Sequence, residues 1–337
     1  MQKKLHGLVL GVLISSLLGF YPWARAAKPT VVIGYENNGA DPYMVTQSQG
    51  LFQKMIPAHV RLKYFASGPA AMSALASNSL QFMCGIGIPP FVAAISQGLP
   101  LTIIFNQERY TTAAGIVVRP GHGIKTVADL KGHRIAIVQG SQSSFELATF
   151  LAEANVPFDA VHQVNMSPPE MRVAWTTKSI NAAIVWDPVF DALRSLGGRI
   201  LKTDADLPRD ASSYNVCIAD TRWVRVHPRI ATDFVRALDA GVTYTKAYPE
   251  KAIALMAKAA GISKPVAKTE LAGYEIFSAK DQMTPEVLGS GAGMATSATT
   301  RTVENTAKVL LKIGRITNPP KNPVAAVDSQ FAAAAAK

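Results

Sequence analysis

The chain has 337 residues and carries 34 Lys and Arg against 23 Asp and Glu, a formal net charge of +11. That length exceeds one ordinary domain and suits two lobes. The basic residues are scattered, with no Lys/Arg run and no recognition motif, which argues against a nucleic-acid partner and leaves an anionic small solute compatible with the charge.

Residues 1–26 read as a secretory signal peptide. Lys3 and Lys4 precede the uncharged apolar stretch Leu8 to Phe20, and Ala24-Arg25-Ala26 offers a small-x-small cleavage site before Ala27. The apolar run falls short of the roughly 20 residues of a spanning helix. Removing its three basic residues leaves a mature charge of +8. No Cys lies at the cleavage point, so the expected product is a soluble, unlipidated protein outside the inner membrane, in the periplasm of a two-membrane bacterium. Cys84 and Cys217 are the only cysteines, too few for a disulfide framework.

After the leader, short apolar runs alternate with helical patterns. Thr30 to Tyr35 and Val60 to Phe65 read as strands, and a helix opens at Ser67-Gly68-Pro69 and runs through Ala76. Phe82 to Ile86 is a third strand, followed by a helix from Pro89-Pro90 to Gln97 and a fourth strand over Leu101 to Phe105. A second series begins near Gly115. Ile116 to Val118, Arg134 to Val138, Val161 to Val164 and Ile180 to Trp186 read as strands, and helices follow at Val127 to Leu130, Phe145 to Ala154, Pro168-Pro169 and Asp187-Pro188. Tyr214 to Ala219 is a strand returning to the first lobe. Helices are then expected over Pro228–Ala247, Pro249–Ala260, Lys264–Phe277 and Thr300–Ile313, with a frayed tail at Ala332 to Ala336. Gly289 to Gly293 follows no strand and reads as a flexible loop. Two β-loop-α series make an α/β protein of two lobes with a cleft.

Ligands bind α/β sheets in crevices beyond the carboxyl ends of strands. Three loops there are chemically alike: Ser67-Gly68-Pro69, Gly87-Ile88-Pro89 and Gly140-Ser141-Gln142-Ser143 each precede a helix. Helix starts present unpaired N–H groups and a positive dipole end, so together they can hold an anion without Lys or Arg. Each loop alone is also explained by helix capping. Tyr35-Glu36, Trp186-Asp187 and Tyr214-Asn215 stand at strand ends, where an aromatic can cover a small solute and a carboxylate can pair with an ammonium. Core packing is the alternative for Trp186, and N-capping for Asp187.

Enzyme signatures are missing. There is no G-x-S-x-G, H-E-x-x-H, C-x-x-C or Gly-Lys phosphate loop, and the histidines are scattered singly. Neither catalysis, a metal nor a cofactor is expected.

Phe65-x-x-Gly68 with Ala74-Leu75-Ala76-Ser77, and then Lys125 to Gly132 with Arg134-Ile135-Ala136, resemble the nitrate/sulfonate/taurine branch of periplasmic binding proteins. Ser167-Pro168-Pro169, Ala174-Trp175, Ile180 to Ala183 and Val185-Trp186-x-Pro188 are similar to the taurine-binding subgroup. The resemblance covers essentially the whole mature chain. It implies a type II periplasmic-binding-protein fold, each lobe a mixed sheet flanked by helices, with lobe 1 over residues 27–112 and 215–337 and lobe 2 over 113–214. It implies a monomer that captures taurine or another sulfonate by hinge closure and delivers it to the permease of an ABC importer in the inner membrane. The implied ligand contacts are Tyr35, Glu36, Gly68, Gly87, Ile88, Gly140, Ser141, Gln142, Ser143, Trp186, Asp187 and Asn215. Taurine binders carry an acid where Asn215 stands, so Glu36 is expected to compensate, and Asn215→Asp to improve taurine binding. The loop 87–90 also lacks the serines common in those binders. Another anion (nitrate, an aromatic sulfonate or a carboxylate), a receptor-sensing role, and an enzyme like those that make the thiamine pyrimidine remain alternatives. In this fold the third and returning strands are expected to be neighbours, which makes a bridge between Cys84 and Cys217 conceivable, with side-by-side buried thiols the preferred expectation.

Overall fold

A computed structural model describes residues 28–208 and 211–337. The expected signal segment lies outside the described residues. Eleven strands are described: β1 Thr30–Tyr35, β2 His59–Tyr64, β3 Phe82–Ile86, β4 Leu101–Tyr110, β5 Ala114–Val118, β6 Arg134–Ile137, β7 His162–Asn165, β8 Ala182–Trp186, β9 Arg199–Thr203, β10 Tyr214–Asp220 and β11 Tyr274–Ile276. They form two sheets, of order β11-β4-β10-β3-β1-β2 and β7-β6-β8-β5-β9. Both are mixed. β1 runs parallel to β2 and β3 while β10 is antiparallel to β3 and β4, and β6 runs parallel to β7 and β8 while β5 is antiparallel to β8 and β9.

Burial on both faces explains why the central strands are unbroken apolar runs. Successive side chains of β3 and β10 enter opposite cores. Met83, Ile86, Val216 and Ile218 pack on one face, and Phe82, Cys84, Cys217 and Ala219 on the other. Phe82 stacks on Phe234 of the long helix Pro228–Ala247 at 4.1 Å between ring centres. The second sheet is covered likewise, with Val117, Ala183 and Val185 on one side and Ile116, Ile135 and Ile184 on the other.

Four expectations are corrected. Cys84 and Cys217 are joined in a disulfide rather than lying as free thiols; the adjacency of β3 and β10 brings them together. The helix expected over 264–277 stops at Ala272, because Gly273 packs where a Cβ would come within 2.7 Å of Ala113, and its carbonyl accepts from Thr111 N–H at 2.9 Å. Tyr274–Ile276 then adds β11 to the edge of β4. The alanine-rich end forms the helix Gln330–Ala335, anchored by buried Phe331 and Ala332, and is not frayed. Gly291–Thr296 is a turn of 3-10 helix. β4 also runs past its apolar part through Asn106, Gln107 and Glu108, because each finds a buried partner: Asn106 exchanges two bonds with the Gln282 side chain, Gln107 accepts from Gly85 N–H at 2.5 Å, and Glu108 accepts from Asn215.

Candidate functional site

A small pocket lies between the two sheets. Its walls come from the ends of β1, β3, β8 and β10, from β4 and β5, and from the starts of three helices. These are Gly68–Ala76, Ile88–Ser96 and Gln142–Glu153, which contribute Gly68, Gly87 with Pro90, and Ser141 with Gln142. The convergence anticipated for the three loops is therefore present. Capping accounts for only one of them. Ser141 Oγ accepts from Ser143 N–H at 3.2 Å, whereas Ser67 and Gly87 make no side-chain cap bond. Pro69, Pro89 and Pro90 carry no N–H, so those two helices offer fewer donors than a generic helix start.

Seven of the twelve expected residues line the pocket: Glu36, Gly68, Gly87, Ser141, Gln142, Trp186 and Asn215. The other five do not. Tyr35 stacks on Tyr43 at 5.6 Å and lines a neighbouring hollow. Ile88 is fully buried in the first sheet's core. Gly140 borders an outer groove with Pro69 and Met72. Ser143 is buried behind Ser141 with its hydroxyl unpartnered. Asp187 accepts from Asp191 N–H at 2.9 Å in the first turn of the helix Val189–Ser195, whose N-cap position is held by Pro188 and not by Asp187. Trp186 packs in the core of the second sheet and also lines the pocket.

Asn38, Gly85, Pro90, Tyr110, Ala114, Glu146 and Ser213 line the pocket as well and were not anticipated. Gly85 is the most telling. It sits within β3 at φ 80°, and a Cβ there would lie 2.4 Å from Asn38 Nδ2, which donates to Gly85 O at 3.0 Å. An interior strand glycine that admits a side chain so closely was a legible sign of a site.

Among the described residues the lining is acidic, with Glu36 and Glu146 and no Lys or Arg. Glu36 is 7% exposed, its Oε1 has no hydrogen-bond partner among the described residues, and burial pushes its pKa well above the usual carboxylate range. Glu146 is differently placed. Ser213 Oγ donates to it at 3.1 Å, and buried Asp204 stands beside it. Burial raises both, Asp204 to about 7, and the neighbouring Asp204 pushes Glu146 further up.

Side-chain donors around the pocket are largely committed. Ser141 Oγ donates to Val138 O at 2.7 Å, Asn38 donates to Gly85, and Asn215 Nδ2 donates both to Glu108 at 2.7 Å and to Tyr110 Oη at 2.8 Å. What the pocket offers a solute is an aromatic wall, helix-start N–H groups and an unpartnered carboxylate. Among the described residues no group of His, Cys, Asp and Glu is arranged to hold a metal ion.

Comparison with known proteins gives a consistent picture. A family model described as NMT1/THI5 like matches residues 38–252. A protein of Escherichia coli (strain K12) assigned to aliphatic sulfonate binding is 28% identical over 263 residues, 77% of this chain and 81% of that one. The taurine-binding periplasmic protein of the same strain is 28% identical over 224 residues, 65% of this chain and 68% of that one. The alkanesulfonate-binding protein SsuA from Xanthomonas axonopodis pv. citri, solved bound to MOPS, shares the fold with a TM-score of 0.72 at 21% identity, over 90% of this chain and 99% of that one. The desulfurization enzyme DszB has the same fold as well, with a TM-score of 0.62 at 14% identity, over 92% of this chain and 99% of that one.

Proposed function

Because this chain belongs to the NMT1/THI5-like family, we propose that it is the solute-binding component of an ABC importer, capturing a small sulfonate or related organic anion between its two sheets. The observation that carries the reading is the convergence of three helix starts on one pocket. Their N–H groups and dipole ends favour an anionic group, and Trp186 and Tyr110 supply the apolar faces for a short carbon chain. The relatives named for sulfonate and taurine binding are what point to sulfonate among anions.

In this reading residues 27–112 with 215–337 form one lobe and 113–214 the other, joined by the chain crossings near 112–113 and 214–215. The helix Gln142–Glu153 packs against both Ile88–Ser96 and Ala298–Lys312, which is the contact that closure forms. The closed surface is then read by an inner-membrane permease. Residues 1–26 direct export to the periplasm, where the Cys84–Cys217 bridge is stable. The protein works as a monomer.

Binding without turnover is the second part of the proposal. Asn38, Ser141 and Asn215 donate to acceptors of the protein itself, and Ser213 donates to Glu146, an engagement that supports this part of the proposal. Incubating purified protein with taurine and with octanesulfonate, then recovering the ligand for mass spectrometry, tests this. Unchanged ligand that co-elutes with the protein is the expected result. Release of sulfite or sulfate would show an enzyme.

A further inference from the structure

Gln139 and Arg315 stand on opposite lobes of the proposed division and meet side chain to side chain. Gln139 follows β6 and lies two residues before Ser141, which lines the pocket. Arg315 follows the helix Ala298–Lys312. Its Nη2 and Nη1 lie 2.6 and 2.7 Å from the side-chain oxygen of Gln139, and both donate to it. An amide turned the other way would set donors against donors.

Neither end has to search for the other. Arg315 N–H donates to Leu310 O at 2.8 Å, and the next residue, Ile316, is buried in the first sheet's core. Gln139 N–H donates to Asn165 Oδ1 at 2.9 Å, and Gly140 N–H donates to Ser144 Oγ at 3.0 Å. Each backbone is thus pinned to its own side, and only two exposed side chains are ordered when they meet. Every ion pair among the described residues stays within one of the two proposed lobes, and Arg315 belongs to none of them. The guanidinium is committed to the amide.

We propose that Arg315 and Gln139 form a latch on the closed state. The pair lies outside the pocket lining, holds the loop that carries Ser141 and Gln142 against the first lobe, and sets how fast a captured solute leaves. The inference rests on the lobe division and hinge closure of the proposed function, and it adds the residues that keep the closed form closed. Opening has to break the contact, whereas encounter with the solute does not need it, so the effect falls on dissociation. Two bonds from a charged donor to a neutral acceptor at the surface are worth about a factor of 10 in the closed-to-open ratio.

Stopped-flow binding tests the latch, with taurine and octanesulfonate as probes and the fluorescence of Trp186 in the pocket wall as the signal. Arg315→Ala should speed dissociation about 10-fold and change association by less than about 3-fold. Gln139→Glu makes the contact one of opposite charges. It should slow dissociation about 3-fold at low ionic strength, a gain that high salt removes. Slower release is a readout that general destabilisation does not produce. Gln139→Glu combined with Arg315→Ala should lose that gain. An unchanged dissociation rate in Arg315→Ala overturns the proposal, and so does a gain in Gln139→Glu that persists without Arg315. The rates do not depend on what the solute is. If the unmodified protein binds glucose and none of the anions, the organic-anion reading fails, and the same rates measured with glucose still decide the latch.

Discussion

The amide nitrogen of Asn215 lies 2.7 Å from a carboxylate oxygen of Glu108, and the same nitrogen lies 2.8 Å from the hydroxyl of Tyr110. All three residues are buried, on the adjacent strands β4 and β10. Asn215 is therefore a structural donor to an acid that the sequence left unnoticed. This removes the ground for expecting Asn215→Asp to improve taurine binding, since the new carboxylate would face Glu108. Asn215→Asp should instead destabilise the protein by about 1–3 kcal/mol, a melting-temperature loss on the order of 5 °C. The loss should be larger at pH 8 than at pH 5, where one acid can hold a proton and donate to the other. Equal losses at both pH values would count against the pairing.

Stability should fall as pH rises from mildly acidic to alkaline. Burial raises Asp41 and Asp204 from 3.8 to about 7, and Glu270 from 4.5 to about 7. Between about pH 4 and 7 the folded protein holds protons that the unfolded chain has released, so unfolding free energy declines across that window. The contribution is complete below the unfolded values and lost above about 7. Asp129 and Glu170, held low by backbone N–H bonds, work the other way and limit stability at more acidic pH. Differential scanning calorimetry should place the melting temperature higher at pH 5 than at pH 8. Asp204→Asn should raise the pH 8 value and flatten the difference.

Gly87 lies in close contact with the helix start on the other side of the pocket. A Cβ there would lie 2.8 Å from the Cβ of Gln142, which starts the helix on the second sheet. Gly87→Ala should hold the halves apart and weaken ligand binding by about 10-fold or more, the cost of overpacking a tight contact. The melting temperature of the ligand-free protein should change by less than about 2 °C. Titration calorimetry beside a thermal melt separates these effects; equal losses in both would point to general destabilisation.

The Cys84–Cys217 bridge ties β3 to β10 across 133 residues of sequence. Its removal by the double serine variant should cost about 2–4 kcal/mol. Thiol titration should find no free thiol in the unreduced, denatured protein and two after reduction. Two thiols without reduction would exclude the bridge.

The α/β plan with two sheets was legible because apolar strands and helix starts recur along the chain. β1, β3 and the helices Pro228–Ala247 and Pro249–Ala260 lie where the patterns put them. The misses have a common physical cause. β11, the polar half of β4 and the closing helix Gln330–Ala335 are set by distant partners, through Gly273 against Ala113, Gln282 against Asn106, and Phe331 in a remote core. Local pattern carries no trace of such contacts. The site divides in the same way. Strand-end and helix-start residues such as Glu36, Gly68, Ser141 and Trp186 were visible as loop chemistry. Tyr110, Glu146 and Ser213 were not, because they stand at the end of the unforeseen polar half of β4, within a helix and in a connecting loop.

A thermal-shift screen of the mature protein against taurine, alkanesulfonates, aromatic sulfonates, nitrate, dicarboxylates and neutral sugars tests the organic-anion reading most directly. At least one sulfonate or amino-substituted acid should raise the melting temperature by several degrees at millimolar concentration, and the sugars should leave it unchanged. A rise with a neutral sugar and none with any anion would contradict the function proposed for this pocket.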